Sequence, residues 1–475
     1  MFAIPALVEP RGVGLKHAFE QSVRREEDLD IQALDAAAGI ENFVQAAYPL
    51  TETDKQEVRN QFGLPVASLP ENETNNISLL ERLFLTGMSG AVVDVSKPTQ
   101  QRQLPPDRHL RMEEICRVAR VPPKTFVRIR RSEAWMRTDL LRDAVAASVQ
   151  YCLGCAFGRW DIRFANGEKP LPELPAPFAP LPVCPPGQLQ NNQGLPITNE
   201  EVARLKQEGR WNYPITIPWD GILVDDRNHV LDVEACVQKV MQVIWKDQWE
   251  TIESEACAAL NVRTLRDHFR KPPGFFDDHL KRYSKSRRQA PIYWPLSTES
   301  ASYTLWVYYQ RLTEQTFYTC VNEFVDPKLR EVNSEVTKLT DKGARSRDDE
   351  QKLETLYQLG LELQQFRDEL LRLAKLPWHP NLNDGIQITA APLWKLFRLP
   401  RWRKTLKETW EGLERGDYDW AYMAFTLWPD RIREKCKSDK SLAIAHGLED
   451  LYVEPARVVR KKRGRKAHAQ MVEEE

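Results

Sequence analysis

The chain has 475 residues, and its 67 Lys and Arg nearly balance 68 Asp and Glu, which gives a formal net charge of -1. Affinity for a polyanion therefore has to come from local clusters of cations. A hydrophobic fraction of 42% with 28% charged residues excludes a disordered or fibrous chain. Eight scattered Cys favour a reducing cytoplasm over a disulfide framework, and the longest uncharged run, 144–157, is too short for a membrane span.

The first 137 residues predict a helical region with long irregular links. Two short apolar patterns, 30–39 and 79–87, end in Gly as helices do, whereas 63–77 and 94–107 are polar and interrupted by Pro. A stronger apolar pattern follows and predicts a helix over 138–158, within a second unit that extends to residue 169.

A proline-rich segment, 170–198, marks the clearest predicted boundary. Pro cannot join a helix interior or a central strand, so we expect this segment to be extended. Its interleaved apolar residues, including Val183, favour a course across a protein surface rather than a free linker.

The segment from 199 to 326 predicts an α+β unit. A strand and turn over 213–226 carry Asp220, Asp225 and Asp226, which are either Mg²⁺ ligands of a nuclease or part of a turn that caps the next helix. The Glu-x-Lys companion of such a nuclease is not evident, so capping is favoured. An amphipathic helix follows over 232–249.

A basic and aromatic stretch, 279–309, ends this unit. Its second aromatic run alternates like a strand, so the two runs are expected to pair as a hairpin across a Ser-Thr-Glu-Ser loop. Cations held beside a rigid hairpin are suited to a nucleic-acid backbone, although a solvated basic turn beside a core hairpin is the alternative. The predicted contacts are Lys281, Arg282, Lys285, Arg287 and Arg288, with aromatic support from Tyr293 and Trp294.

The segment 327–375 predicts an antiparallel coiled-coil hairpin. Apolar residues recur at spacings of three and four on two arms, and the polar turn 341–348 joins them. The predicted fold class is therefore mostly α with small β elements, an α+β protein of several domains.

The last part divides into a Trp-rich basic unit, 376–452, and a basic tail, 453–475. Within the tail, the run 460–466 has no hydrophobic residue to fold around. It contains Arg463-Gly-Arg465, which resembles an AT-hook core without its usual Pro, so general phosphate binding is expected. Predicted DNA contacts in the unit are Arg398, Arg401, Arg403, Lys404 and Lys407, and those in the tail are Arg460, Lys461, Lys462, Arg463, Arg465 and Lys466.

Several blocks resemble one protein family. The runs 283–288, 290–297 and 302–306 look like the region after the catalytic domain in PglX-type adenine-specific DNA methyltransferases of the BREX and DISARM phage-defence systems, which are related to single-chain restriction-modification enzymes. Further similar blocks, in the family's order, are Gly154–Arg159, Pro380–Gly385, Gly416–Ala421 and Leu442–Gly447.

The motifs of methyl transfer are missing from this sequence. Such an enzyme needs a Gly-rich turn for S-adenosylmethionine and an Asn/Asp-Pro-Pro-aromatic motif for the flipped base. None of the four Pro-Pro pairs has both flanking residues, and the only Gly-x-Gly, at Gly12, follows no strand pattern. We therefore expect no complete methyltransferase Rossmann domain and no catalytic or metal-binding residue here, with S-adenosylmethionine bound by a catalytic portion or partner chain.

The resemblance implies a DNA-binding and specificity portion, or subunit, of such a methyltransferase in a bacterial cytoplasm. Its partners would be double-stranded DNA, the catalytic portion and other defence proteins, with no membrane. The alternative is a protein-interaction scaffold of the same complex without DNA contact. A nuclease using the Asp220 cluster ranks behind both.

Overall fold

The computed structural model describes residues 50–62, 138–170, 180, 182–285, 288–381 and 383–454, together with single positions between 14 and 48. These residues are mostly helical and include one small three-stranded sheet, as the α+β prediction requires. The chain divides into two compact units, 1–219 with 223–278, and 220–222 with 279–475.

The first unit is built on a packed group of helices. The helices that the structure describes over a continuous range are α1 (Glu52–Phe62), α2 (Thr138–Ala156), α3 (Asn199–Gln207), α4 (Val233–Trp245), α5 (Trp249–Leu260) and α6 (Leu265–Arg270). Helix α2 packs against both α4 and α5, and the apolar stripe of α4 is buried. Asp232 begins α4, because its Oδ2 accepts the backbone N–H of Ala235 at 3.1 Å. The helices predicted over 138–158 and 232–249 are confirmed, with the latter ending at Trp245.

The described part of the proline-rich segment crosses the surface after α2. The backbone N–H of Leu189 donates to the carbonyl oxygen of Arg159 at 3.1 Å, and Leu189 is buried. Val183, in contrast, is largely exposed, so its expected role in covering a surface is wrong. Residues on both sides of this segment belong to the first unit. The finer division of the chain stays a prediction.

The small sheet contains the predicted hairpin. Its first strand is β1 (Ile222–Val224), and α7 (Phe275–Arg282) and two short paired strands, β2 (Ser284–Lys285) and β3 (Arg288–Gln289), precede the hairpin. Strands β4 (Tyr293–Ser297) and β5 (Thr304–Tyr308) pair in antiparallel register, which confirms the hairpin, and the sheet order is β1-β5-β4. All five residues of β5 are buried, so the alternation seen in the sequence does not separate a core face from a solvent face.

Two long helices follow the hairpin and pack against each other. Helix α8 (Thr316–Thr319) continues through a π-helical stretch into α9 (Asp326–Thr340), and α10 spans Arg347–Ala374. Ser346 and Asp349 form a capping box that starts α10. The apolar side chains of α10 that are buried lie in its second half, namely Leu363, Phe366, Leu370 and Leu373.

The second unit ends in a group of short helices around one longer helix. They are α11 (Ile386–Ala390), α12 (Pro400–Arg415), α13 (Tyr422–Leu427), α14 (Pro429–Cys436) and α15 (Lys440–Ala445). Trp402 of the longest, α12, is fully buried. None of the helices that the structure describes has the length and hydropathy needed to cross a lipid bilayer.

Candidate nucleic-acid interface

Helix α12 carries positive charge in its first half and mainly negative charge in its second half. Pro400 at the first helical position gives a sharp start, because its fixed φ suits a helix and it has no N–H to satisfy there. The first half contains no acid. We call Arg401, Arg403, Lys404 and Lys407 the α12 cationic face. The second half contains Glu408, Glu411 and Glu414 with one cation, Arg415.

This charge order opposes the dipole of the helix. The N-terminal end of a helix carries partial positive charge, so cations there are unfavourable and an anion is favourable. Leu399 occupies the N-cap position and makes no side-chain cap hydrogen bond. The cationic face and the amino end of α12 therefore add to one positive field, which suits an external anion such as a phosphate.

Two lysines of the α12 cationic face are only weakly neutralised by glutamates on their own helix. Lys404 lies 3.9 Å from Glu408 and Lys407 lies 3.8 Å from Glu411. Both pairs are exposed to solvent, and exposed pairs at these distances contribute little. The Lys404 side chain is 79% exposed, so it can reach a bound polyanion without disturbing the protein core.

Two arginines connect α12 to the turn of the β4–β5 hairpin. Arg398 donates from Nε to the carbonyl oxygen of Thr298 and from Nη2 to that of Ser297, each at 2.7 Å. Both Arg398 and Arg403 also pair with Glu299 of the same turn, at 2.5 Å and 3.3 Å. Arg398 is thus a mostly buried structural anchor rather than the exposed DNA contact that the sequence predicts, because its donors are directed at the hairpin turn.

Trp394 lies against the α12 cationic face. The Cζ of Arg403 is 5.7 Å from the ring centroid, and the Nζ atoms of Lys407 and Lys395 are 5.5 Å and 5.9 Å from it. Cations at this range are attracted to the electron-rich face of an indole. The ring therefore holds these flexible side chains close together.

The second predicted basic cluster lies between α7 and the hairpin. Lys281 and Arg282 are exposed in the last turn of α7, where cations are favoured. Lys285 and Arg288 are paired through their backbones in β2 and β3. Arg287, and the side chains of Lys285 and Arg288, lie outside the described residues, as do all six predicted cations of the tail.

His279 positions this cluster and was not singled out from the sequence. Its Nε2 accepts the backbone N–H groups of Ile292 and Tyr293, at 2.9 Å and 3.1 Å, and the residue is fully buried. Its ring also lies 4.6 Å from that of Tyr283. The end of α7 is thereby fixed to the first strand of the hairpin, because one ring nitrogen accepts two main-chain donors. A lone His ahead of a basic run gives no sequence signal of this role.

Tyr293 and Trp294 are both fully buried, so the prediction that either contacts DNA is wrong. Trp294 donates its indole N–H to the carbonyl oxygen of Pro291 at 2.8 Å, and its ring packs near Tyr309 and Phe397. Aromatic side chains in the β4–β5 hairpin form core rather than a stacking surface, because other elements cover both faces of the strands.

The acidic cluster of the first unit is occupied by arginines. Asp225 is buried and binds both Arg266 and Arg270, and Arg266 in turn donates to Asp232 at 2.7 Å. Burial lowers the pKa of the Arg266 guanidinium, but hydrogen bonds and charge attraction from Asp232 and Asp225 together outweigh burial and raise that pKa above its ordinary value. Asp232 caps α4, whereas the sequence predicted that the turn with Asp220, Asp225 and Asp226 would do so. Within the described ranges, His, Cys, Asp and Glu side chains form no group of three or more that could hold a metal.

Two of the blocks that carry the family resemblance contact short helices of the second unit. Asp384, in the block 380–385, accepts the backbone N–H groups of Tyr422 and Met423, each at 2.7 Å, and so caps α13 from a distant part of the chain. Asp419, in the block 416–421, binds Arg431 and Lys435 of α14. These blocks therefore hold short helices together, a role that their spacing in the sequence did not reveal.

Glycine is required in the block 154–159. Gly158 has φ of 68°, and a Cβ atom there would lie 2.7 Å from Cγ2 of Ile217. Both the left-handed backbone and the close approach exclude a larger residue. The chain can thus turn sharply after α2.

No family model matches the sequence, and a search of curated proteins finds no significant match.

Proposed function

We propose that this chain is the DNA-binding and specificity portion, or subunit, of an adenine-specific DNA methyltransferase in a bacterial antiphage defence system. The methyl-transfer site and S-adenosylmethionine belong, in this proposal, to a catalytic portion or partner chain. The observation that carries the DNA-binding part is the α12 cationic face, whose charges reinforce the positive end of their own helix. The assignment to a methyltransferase rests on the ordered sequence blocks.

Different residues of this surface have different roles in binding the DNA backbone. Arg401 and Lys404 are exposed at the start of α12, so they are placed to neutralise phosphates. Arg398 fixes the helix to the hairpin turn and sets the position of those two cations. Lys281 and Arg282 supply a second exposed pair of cations at the end of α7.

The helix pair α9–α10 has a separate place in this proposal. We assign it as an antiparallel coiled-coil arm that spaces the parts of a chain with several domains. Its apolar seam is structural, and its described tip carries the polar turn after α9. The basic tail adds salt-sensitive affinity for the same polyanion.

The test is charge reversal on the α12 cationic face. Arg401→Glu combined with Lys404→Glu is expected to weaken binding to duplex DNA. The plot of log affinity against log salt should become shallower by about 1 for each phosphate that the variant no longer neutralises. Lys338→Glu combined with Lys352→Glu is the matched control, because both lysines are exposed and the change in net charge is identical. Equal affinity and equal salt slope in both double variants contradict the proposal.

The second candidate is a scaffold subunit without DNA contact. Three apolar side chains that the described surface leaves exposed, Trp420, Tyr422 and Ile444, favour it, because such residues are common at protein interfaces. Charge reversal at Arg287 and Arg288 separates the two candidates. Loss of DNA retention with intact assembly of the defence complex supports DNA binding, and the converse supports the scaffold.

A methylation assay tests where the active site lies. The purified chain alone, supplied with S-adenosylmethionine and DNA, is expected to transfer no methyl group. Methylated adenine in that reaction overturns the assignment of the catalytic portion to another segment or chain.

A further inference from the structure

A cleft opens beside the α12 cationic face, between α12 and the 3-10 helix that precedes it. Trp394 and Trp410 both line it, with Pro392 on the same side as Trp394, and its volume is about 340 Å³. This volume is at the lower end of the range for small-ligand sites, about 300 to 1,000 Å³. We call it the Trp394–Trp410 cleft. It is large enough for one planar ring system with a short polar substituent.

The two tryptophans of this cleft differ from others in the same unit. Trp294, Trp306 and Trp402 are fully buried and belong to the core. Trp394 and Trp410 are only half-buried, so parts of their rings face the cleft. Trp428 lies next to Trp410, with ring centroids 5.7 Å apart and planes inclined at 44°. An accessible aromatic surface of this kind stacks planar groups without selecting among them.

The rim of the cleft carries both positively and negatively charged side chains. Arg372, Lys395 and Lys407 provide cations, whereas Glu411 and Glu414 provide carboxylates one helical turn apart on α12. Arg372 is already paired with Glu369 at 2.7 Å, so Lys395 and Lys407, whose ion pairs are longer, are the cations that can turn to a ligand. Cations beside an aromatic wall suit the phosphates of a nucleotide chain. Carboxylates accept hydrogen bonds and cannot donate them, so they favour a ligand edge that carries an amino group and disfavour one that carries a carbonyl oxygen.

We propose that the Trp394–Trp410 cleft binds one unpaired nucleobase that bears an exocyclic amino group, with the base stacked on tryptophan and its amino group directed to Glu411 or Glu414. The inference deepens the proposed function and rests on it, since it gives the nucleic-acid surface a base-reading pocket. A duplex held by the α12 cationic face would reach this cleft with a base that is extruded or single-stranded. The cleft then contributes specificity, while the cationic face contributes affinity for phosphates.

The first experiment uses short single-stranded homopolymers of deoxycytidine and deoxyuridine at neutral pH. The two bases have the same ring size. Cytosine has a 4-amino donor beside the acceptor N3, whereas uracil has a 4-carbonyl acceptor and an N3–H that lies between two carbonyl oxygens. Fluorescence anisotropy is expected to give tighter binding of the deoxycytidine polymer by about tenfold, the lower end expected for one added hydrogen bond to a charged acceptor. Equal affinities, or tighter binding of the deoxyuridine polymer, overturn the proposed base recognition.

Two substitutions of Trp410 separate stacking from folding. Trp410→Leu keeps an apolar side chain but removes the ring and is expected to weaken binding of the deoxycytidine polymer about tenfold. Trp410→Phe keeps a ring and is expected to retain most of the affinity, so a loss common to both variants points to damaged packing against Trp428. Thermal unfolding of each variant checks this. Trp420→Leu is the matched control, because Trp420 is exposed in the same unit and does not line the cleft. An unchanged affinity of Trp410→Leu overturns the stacking role.

A second double variant tests the carboxylates. Glu411→Gln with Glu414→Gln removes negative charge and introduces amides that both donate and accept. Binding of both polymers is expected to strengthen, and the preference for deoxycytidine is expected to vanish. A preference that survives in this variant contradicts the role assigned to the two glutamates.

Failure of this inference is distinguishable from failure of the proposed function. Duplex binding that depends on Arg401 and Lys404, together with homopolymer binding that ignores Trp410, retains the DNA-binding proposal and removes the base pocket. Homopolymer binding that depends on Trp410, without any duplex binding, retains the pocket and removes the duplex proposal. If the protein binds neither the duplex nor the homopolymers, both proposals are contradicted.

Discussion

Arg398 donates from Nη2 to the carbonyl oxygen of Ser297 at 2.7 Å, across 101 positions of sequence. Together with the bond from Nε to Thr298, this hydrogen bond fixes the start of α12 against the hairpin turn. In the same turn, the Glu362 carboxylate accepts from the hydroxyl group of Ser300 at 2.7 Å. The turn is therefore held by α10 and by the residues that lead into α12, so the cationic face has a defined position.

Substitution of Arg398 is expected to destabilise the protein. The Arg398 side chain is only 12% exposed, and Arg398→Ala leaves two buried carbonyl oxygens without a donor, which we expect to lower the free energy of unfolding by about 2–3 kcal/mol. Arg398→Lys is expected to recover only part of the lost free energy of unfolding. It keeps a charged donor, but an ammonium cannot bridge three oxygens as the planar guanidinium does. Urea unfolding measures both. Arg415→Ala, an exposed arginine on the same helix, is the control and should change stability by less than about 1 kcal/mol.

The aspartates of the first unit should act in stability rather than in metal chemistry. Asp225→Ala is expected to lower the free energy of unfolding by about 3 kcal/mol, because Arg266 and Arg270 are deprived of a buried partner. Asp226→Ala, at the neighbouring acid, should have a smaller effect. Addition of Mg²⁺ should leave the melting temperature of the wild-type protein unchanged. A rise in melting temperature with Mg²⁺ that disappears in Asp225→Ala would instead favour the nuclease alternative.

Stability of the first unit should fall in mild acid because of His268. Burial lowers the pKa of this imidazole from 6.5 to about 4, and its ring packs against Phe275 at 5.9 Å. Between these two values the unfolded chain binds a proton that the folded chain excludes. The free energy of unfolding should therefore drop by about 3 kcal/mol as the pH falls from about 6.5 to about 4, and change little from this cause above that window.

Chemical unfolding across this pH range tests the role of His268. The His268→Phe variant removes the titrating group and keeps an aromatic ring, so its stability should depend less on pH within the same window. A wild-type curve that is already flat between pH about 4 and about 6.5 contradicts the assignment.

The basic tail should contribute affinity that depends strongly on salt. Deletion of residues 460–475 is expected to weaken DNA binding mainly at low salt, because each phosphate contact releases counterions and contributes about 0.9 to the slope of log affinity against log salt. Titrations at several salt concentrations measure this slope. An unchanged binding curve at low salt excludes the tail from the interface.

Local patterns predicted the elements well. Alternation over 303–309 predicted the β4–β5 hairpin, and apolar spacing predicted α2, α4 and the helix pair α9–α10, because each element buries a face that repeats with its own period. Periodicity cannot indicate what covers that face. Residues on both sides of β4 are buried, so Tyr293 and Trp294 of this strand are core residues instead of a binding surface.

The candidate site was predicted less completely, because its decisive interactions join residues that are distant in sequence. Arg398 and Lys404 belong to one basic run, yet Arg398 is directed at the hairpin turn while Lys404 remains exposed. His279 and Asp384 act by accepting main-chain N–H groups of other segments. A side chain that caps or anchors a distant backbone leaves no periodic signal, so only the folded structure reveals it.

The reversed charge order of α12 also makes occupancy and folding interdependent. Repulsion within the cationic face is least compensated when nothing is bound, so neutralisation by a polyanion relieves it. A ligand that binds only the folded state raises its stability by an amount that grows with the logarithm of ligand concentration. The melting temperature should consequently increase with added DNA, and sulfate should reproduce a fraction of that increase where chloride at equal ionic strength does not. In the cell, copies of this protein without a polyanion would then be the ones most readily unfolded and degraded.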